Sequence, residues 1–135
     1  MMGVVLMDED LIKVGEYKDI FNIILGIDIK EKEIYRSKGL PTHIVKRKHY
    51  KVMKYIDYIP DIIANPDYIG INPNEKESIE LIKKYKDNVL LGIKVDKQKD
   101  ILYVSTMHDV QVGKIERRLY SGRLKLFDVD KGEKE

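Results

Sequence analysis

The stretch that decides the fold is Asn88-Val89-Leu90-Leu91-Gly92-Ile93-Lys94-Val95, a polar run Asp96-Lys97-Gln98-Lys99-Asp100, and then Ile101-Leu102-Tyr103-Val104-Ser105-Thr106-Met107. Two β-branched, aliphatic runs of strand length flank five turn-forming residues, which is the pattern of an antiparallel hairpin. The unbroken apolar run at Val89-Leu90-Leu91 marks its first strand as central, covered on one face and partly on the other. Working outward, Tyr68–Ile71 and Ser78–Lys84 read as two more strands, separated by the loop Asn72-Pro73-Asn74-Glu75. A four-stranded β-meander follows.

Upstream lies the most unusual charge distribution in the chain. Ile34–Ile56 holds seven basic residues (Arg36, Lys38, Lys46, Arg47, Lys48, Lys51, Lys54), two of the three histidines, and no Asp or Glu. Val110–Phe127 carries a further net +4 through Lys114, Arg117, Arg118, Arg123 and Lys125 against Glu116. The whole chain is only +2, so the remainder is acidic. Two readings stand: a localised anion-binding face, for which nucleic acid is the commonest partner, or a solvated Lys-rich helix surface.

Gly39-Leu40-Pro41-Thr42 is a breaker followed by an N-cap residue, and predicts a helix starting near Thr42 and ending before Pro60. Val45, Val52, Ile56 and Ile59 keep a helical rhythm, with His49 at the edge of that apolar line, while His43, Arg47, Tyr50 and Lys54 share the opposite face. Six residues apart on a straight helix, His43 and His49 point different ways, and His43 lies with the cations. Before this helix, Val4–Met7 reads as a buried strand, Asp8–Asp10 as a turn, and Asp19–Leu25 as a short helix. Ile29–Tyr35 fits strand or helix equally. After the meander, Gln111–Leu119 reads as a basic helix ending near Gly122, and Arg123–Phe127 as a short strand.

With 135 residues and 43% hydrophobic content, the chain is sized for one core. Zero cysteine excludes disulfides, Cys-zinc sites and cysteine nucleophiles. No apolar run is long enough to span a bilayer, and the apolar opening lacks the basic flank of a signal peptide. A cytoplasmic location is therefore the expectation. His43 and His49 lack the i, i+4 spacing of a helical metal site, so no metal and no cofactor is expected. Walker, Rossmann and Gly-x-Ser-x-Gly signatures are absent. What remains is a set of His, Lys, Arg, Ser, Thr and Tyr side chains, suited to cleaving RNA through its own 2′-hydroxyl. Ser105-Thr106-Met107-His108 brings Thr106 and His108 toward Thr42 and His43. Thr106 is equally well explained as a strand residue, and His108 as a loop histidine without a role.

Several blocks, taken together, carry a resemblance. Thr42-His43-Ile44-x-x-Arg47-x-His49, Ile59-Pro60-Asp61-Ile62-Ile63-x-Asn65-Pro66-Asp67-Tyr68-Ile69, Ser78-Ile79-Glu80-Leu81, Val89–Val95, Val104-Ser105-Thr106-Met107 and Ser121-Gly122-Arg123-Leu124 resemble the phage-associated branch of the barnase, EndoU, colicin and RelE-like (BECR) nucleases. The resemblance implies an α+β fold with N-terminal helices packed on a four-stranded antiparallel sheet. It implies a nuclease domain over 34–127, with 1–33 an N-terminal extension packed on it and 128–135 a charged tail. It also implies metal-independent ribonuclease activity of phage or toxin type, with RNA as substrate and an acidic inhibitor or antitoxin as a further partner. The polar positions carried across are His43, Arg47, His49, Lys94 and Thr106. Lys46, Lys48, Lys54, Lys114, Arg117, Arg118 and Arg123 are the expected nucleic-acid ligands. Barnase-type members pair a glutamate with a histidine, and the sequence offers no glutamate evidently facing His43. An inactive RNA-binding domain of the same fold is the alternative.

Overall fold

A computed structural model of the chain describes residues 10–75 and 78–128. Seven strands form one sheet: β1 (Leu11–Tyr17), β2 (Lys32–Ser37), β3 (Tyr68–Ile71), β4 (Ile79–Lys84), β5 (Asn88–Asp96), β6 (Ile101–Asp109) and β7 (Leu124–Leu126), in the order β1-β2-β6-β5-β4-β3-β7. The helices are α1 (Asp19–Leu25), α2 (Leu40–Lys46), a 3-10 helix (Tyr50–Tyr58), α3 (Ile59–Ala64) and α4 (Val112–Ser121). The expected strand at Val4–Met7 lies outside the described residues.

The chain is α+β, but the expectation of N-terminal helices on a four-stranded antiparallel sheet is overturned. Strands β3 to β6 do form an antiparallel meander. They are extended by β7 on one side, and on the other by β2, which pairs with β6 in parallel, and by β1. Helices are interspersed with strands along the chain. Sequence pattern missed β1 because a register shift between Lys13 and Gly15 breaks its alternation. The β2–β6 pairing joins residues far apart in the chain, which no local pattern records. Residues 11–33, expected as an extension, supply β1 and α1, and Tyr17, Phe21 and Ile24 join the main core.

The alternation of side chains across the strands sets up two apolar layers. Val89, Leu91 and Ile93 of β5 face the larger core with Leu81, Val104 and Met107, covered by α1, α2, the 3-10 helix and α3. Leu90 faces the other side, in a smaller cluster with Tyr68, Ile82, Val110, Ile115 and Leu124, covered by α4. The continuous apolar run of β5 thus follows from burial on both faces. Helix α4 covers only one end of its face. Where β5 passes Gly92 and Lys94, the strand lines a cleft.

The single helix expected from Thr42 to just before Pro60 is instead two pieces, α2 and the 3-10 helix, and α3 follows from Ile59. Gly39, not Thr42, is the N-cap residue of α2, and α2 ends at Lys46. Lys48 has φ 60, in the left-handed region, so the chain turns before the 3-10 helix starts. The backbone N–H of Lys48 bonds to Val45 O at 3.0 Å, and that of His49 to Ile44 O at 3.0 Å, closing this turn.

Candidate active site

The turn at Lys48 assembles the site. On a continuous helix His43 and His49 would diverge, but the left-handed residue at Lys48 breaks the helix, and His43, Arg47 and His49 line one cleft. Strand β2 pairs only with the first part of β6, at Leu102 and Tyr103. Helix α2 and the 3-10 helix also pack against β6. Buried Leu40, Ile44 and Val52 hold these helices to the main core, and the polar His43, Arg47 and His49 line a cleft with residues of β5 and β6.

There a cleft of about 320 Å³ is lined by His43, Arg47, His49, Lys94, Thr106 and His108, with Ser105, Ser78, Asn72, Glu75, Glu80, Leu90 and Gly92 completing its walls. The five expected catalytic positions, His43, Arg47, His49, Lys94 and Thr106, therefore share one cleft, and so do all three histidines of the chain. In the β5–β6 register Gly92 faces Thr106 while Ile93 faces Val104, so Ser105 sits in a bulge. Its hydroxyl donates to Gly92 O at 3.1 Å. Bulges re-aim side chains next to sites, and here Ser105 and Thr106 both reach the cleft.

The rings of His49 and His108 lie 5.3 Å apart, inclined at 40°. Burial, then the neighbouring His108, holds His49 below the ordinary imidazole value, with Asp109 opposing and Arg47 and His43 adding to the shift. His108 Nδ1 lies 2.9 Å from Asp109 O. A carbonyl only accepts, so Nδ1 carries the hydrogen of this bond. Lys94 Nζ meets Glu75 Oε2 at 2.7 Å, and that bond raises the Lys94 pKa and keeps it cationic.

Glu80 is buried, and Arg123 clamps it through Nε to Oε1 at 3.1 Å and Nη2 to Oε2 at 2.9 Å. Burial and adjacent Arg123 lower the Arg118 pKa, opposed by Glu80. Arg118 Nη1 is buried with no partner among the described residues. Of the other expected nucleic-acid ligands, Lys46, Lys48, Lys114 and Arg117 are exposed and do not line the cleft. Lys54 is 3.2 Å from Asp87 and lies outside the cleft.

Reading the sequence passed over Glu75 and Glu80 as site residues, and it weighed His108 but left it outside the catalytic set. Glu75 and Glu80 line the same cleft as His43, paired there with Lys94 and Arg123. A signal for Glu80 existed. An acidic residue inside the apolar run Ile79-Glu80-Leu81-Ile82 has to be buried and paired. Among the described residues no group of three or more His, Asp and Glu is arranged to hold a metal ion, and no helix is long and apolar enough to cross a membrane.

A family model described as phage-Barnase-EndoU-ColicinE5/D-RelE like nuclease 3 (PBECR3) matches residues 12–117, well over half of the chain. No curated protein and no solved structure matches it.

Proposed function

The chain belongs to the phage-Barnase-EndoU-ColicinE5/D-RelE like nuclease 3 family, and on that premise we propose that it is an endoribonuclease cleaving RNA through the substrate's own 2′-hydroxyl without a metal ion. The observation that carries this reading is the meeting of all three histidines in one cleft with Arg47, Lys94 and Thr106. Histidine transfers protons near neutral pH, and cations beside it stabilise a crowded phosphate.

In this mechanism a neutral imidazole takes the 2′ proton as the 2′ oxygen bonds to phosphorus. The bond from phosphorus to the 5′ oxygen breaks, and a protonated imidazole gives that oxygen its proton. The products are a 2′,3′-cyclic phosphate and a 5′-hydroxyl. His49, whose pKa is held down, is the base in this scheme, and His43 the acid. Arg47 and Lys94 hold the phosphate oxygens, and Thr106 donates a hydrogen bond. Exposed Lys46, Lys48, Lys114 and Arg117 position the flanking phosphates. An acidic inhibitor protein would engage the same cationic rim.

The test is cleavage of single-stranded RNA in EDTA, with end groups identified by mass spectrometry. Cyclic phosphate ends, no cleavage of the all-deoxy strand, and loss of cleavage but not binding in His43→Ala and Arg47→Ala support the reading. A parent protein inactive on RNA in EDTA overturns it. One observation favours the alternative of a catalytically silent RNA-binding domain: Lys94 and Arg123 already hold carboxylate partners, Glu75 and Glu80.

A further inference from the structure

Resting on the ribonuclease reading, we propose that the depression beside the cleft is a subsite for one unpaired nucleobase, which stacks on Tyr103. The depression has a volume of about 570 Å³ and shares His43, Lys94 and Ser105 with the cleft, so the two spaces adjoin at these three side chains. His49 and His108 line only the cleft. The shared border is therefore a proton-transfer group, a cation and a hydroxyl, which is the chemistry of a phosphate position. A nucleotide whose phosphate sits there has its base in the depression or in the cleft, and the depression is the larger space.

Its walls suit a base. Leu11, Leu40 and Ile101 are apolar, and Tyr103 offers a half-buried ring. Tyr103 stands opposite Lys94 in the β5–β6 register, so both side chains leave the same side of the sheet. None of the ring pairs among the described residues involves Tyr103. The rim carries Asp96, whose Oδ1 accepts the N–H groups of Gln98 and Lys99 at 3.0 and 3.2 Å. Apolar walls with a few placed polar groups are how small ligand sites orient their ligand. A base within a duplex is stacked and paired, so only an unpaired base enters.

Two measurements on the full chain test this. In calorimetry with nucleoside 3′-monophosphates and ribose 5-phosphate, at least one nucleotide binds on the order of tenfold tighter than the base-free sugar phosphate, as expected for stacking on one ring. That preference disappears in Tyr103→Ala and in Tyr103→Leu, which keeps the apolar packing, and survives in Tyr103→Phe. In cleavage assays, an abasic nucleotide beside the scissile phosphate slows the parent about tenfold and leaves Tyr103→Leu unaffected. Equal binding of nucleotides and ribose 5-phosphate, or equal cleavage of abasic and intact strands, overturns the subsite. Base-dependent binding without cleavage keeps the subsite and removes the ribonuclease reading, whereas cleavage indifferent to the base does the reverse.

Discussion

The His49 and His108 rings face each other at 5.3 Å, and the burial that joins them, together with the second ring's charge, disfavours a proton on His49. The native His49 pKa is therefore below 6.5. As pH falls, the unfolded chain takes up this proton first, so the His49 contribution to stability is complete above pH 6.5 and is lost as pH drops through the native value. NMR titration of the ring checks the direction, and urea midpoints above and below pH 6.5 check the linkage. His108→Ala should move His49 upward toward its ordinary value. A parent His49 titrating at or above 6.5 sinks the prediction.

Removing Arg123 strands a buried carboxylate. Arg123→Ala should destabilise the fold by about 3 kcal/mol, because Glu80 then keeps its burial without its bidentate partner. Adding Glu80→Gln to that variant should recover part of the loss. Urea denaturation of the two variants measures it, and a double variant no more stable than Arg123→Ala contradicts the pairing account.

Two glycines separate fold from site. An added Cβ at Gly70 would lie 2.1 Å from the Arg123 carbonyl oxygen, where β7 pairs with β3. Backbone cannot give way cheaply, so Gly70→Ala should cost more than about 2 kcal/mol. At Gly92 the added Cβ would meet Thr106 Cγ2 at 2.7 Å, a side chain that can turn. Gly92→Ala should cost about 1 kcal/mol but slow cleavage on the order of tenfold by displacing Thr106 within the cleft. Thermal melts and initial rates on both variants decide it.

RNA affinity should fall linearly in a log–log plot against salt, and replacing Lys46, Lys48, Lys114 or Arg117 by Ala should each reduce the slope by about 1 if that side chain neutralises a phosphate. Lys54, held by Asp87 outside the cleft, should change it less. Filter binding over a salt series is sufficient, and slopes unchanged in all four variants rule out the cationic rim.

Local pattern was enough for α1, for β3 to β6 and for α4 with its Gly122 cap, because each is set by apolar periodicity and turn residues within its own segment. The β1–β2 side of the sheet was not legible: β1 carries a register shift, and β2 depends on a parallel partner far along the chain. Nor was the end of α2. Lys46-Arg47-Lys48-His49 contains neither Gly nor Pro, yet Lys48 takes a positive φ. Face arguments drawn on a straight helix therefore separated His43 from His49, whereas the bent chain brings both to one cleft. His108 was undervalued for a related reason, since its meaning comes from His49, across the fold.

The parallel junction of β2 with β6 has a consequence for synthesis. The cleft draws His43, Arg47 and His49 from the first half of the chain, and Thr106 and His108 from the strand that this junction docks beside α2. Before residue 108 has left the ribosome, the nascent polypeptide has no complete cleft. A domain of this nuclease family built in this order gains its full cleft only once the sixth strand has been made.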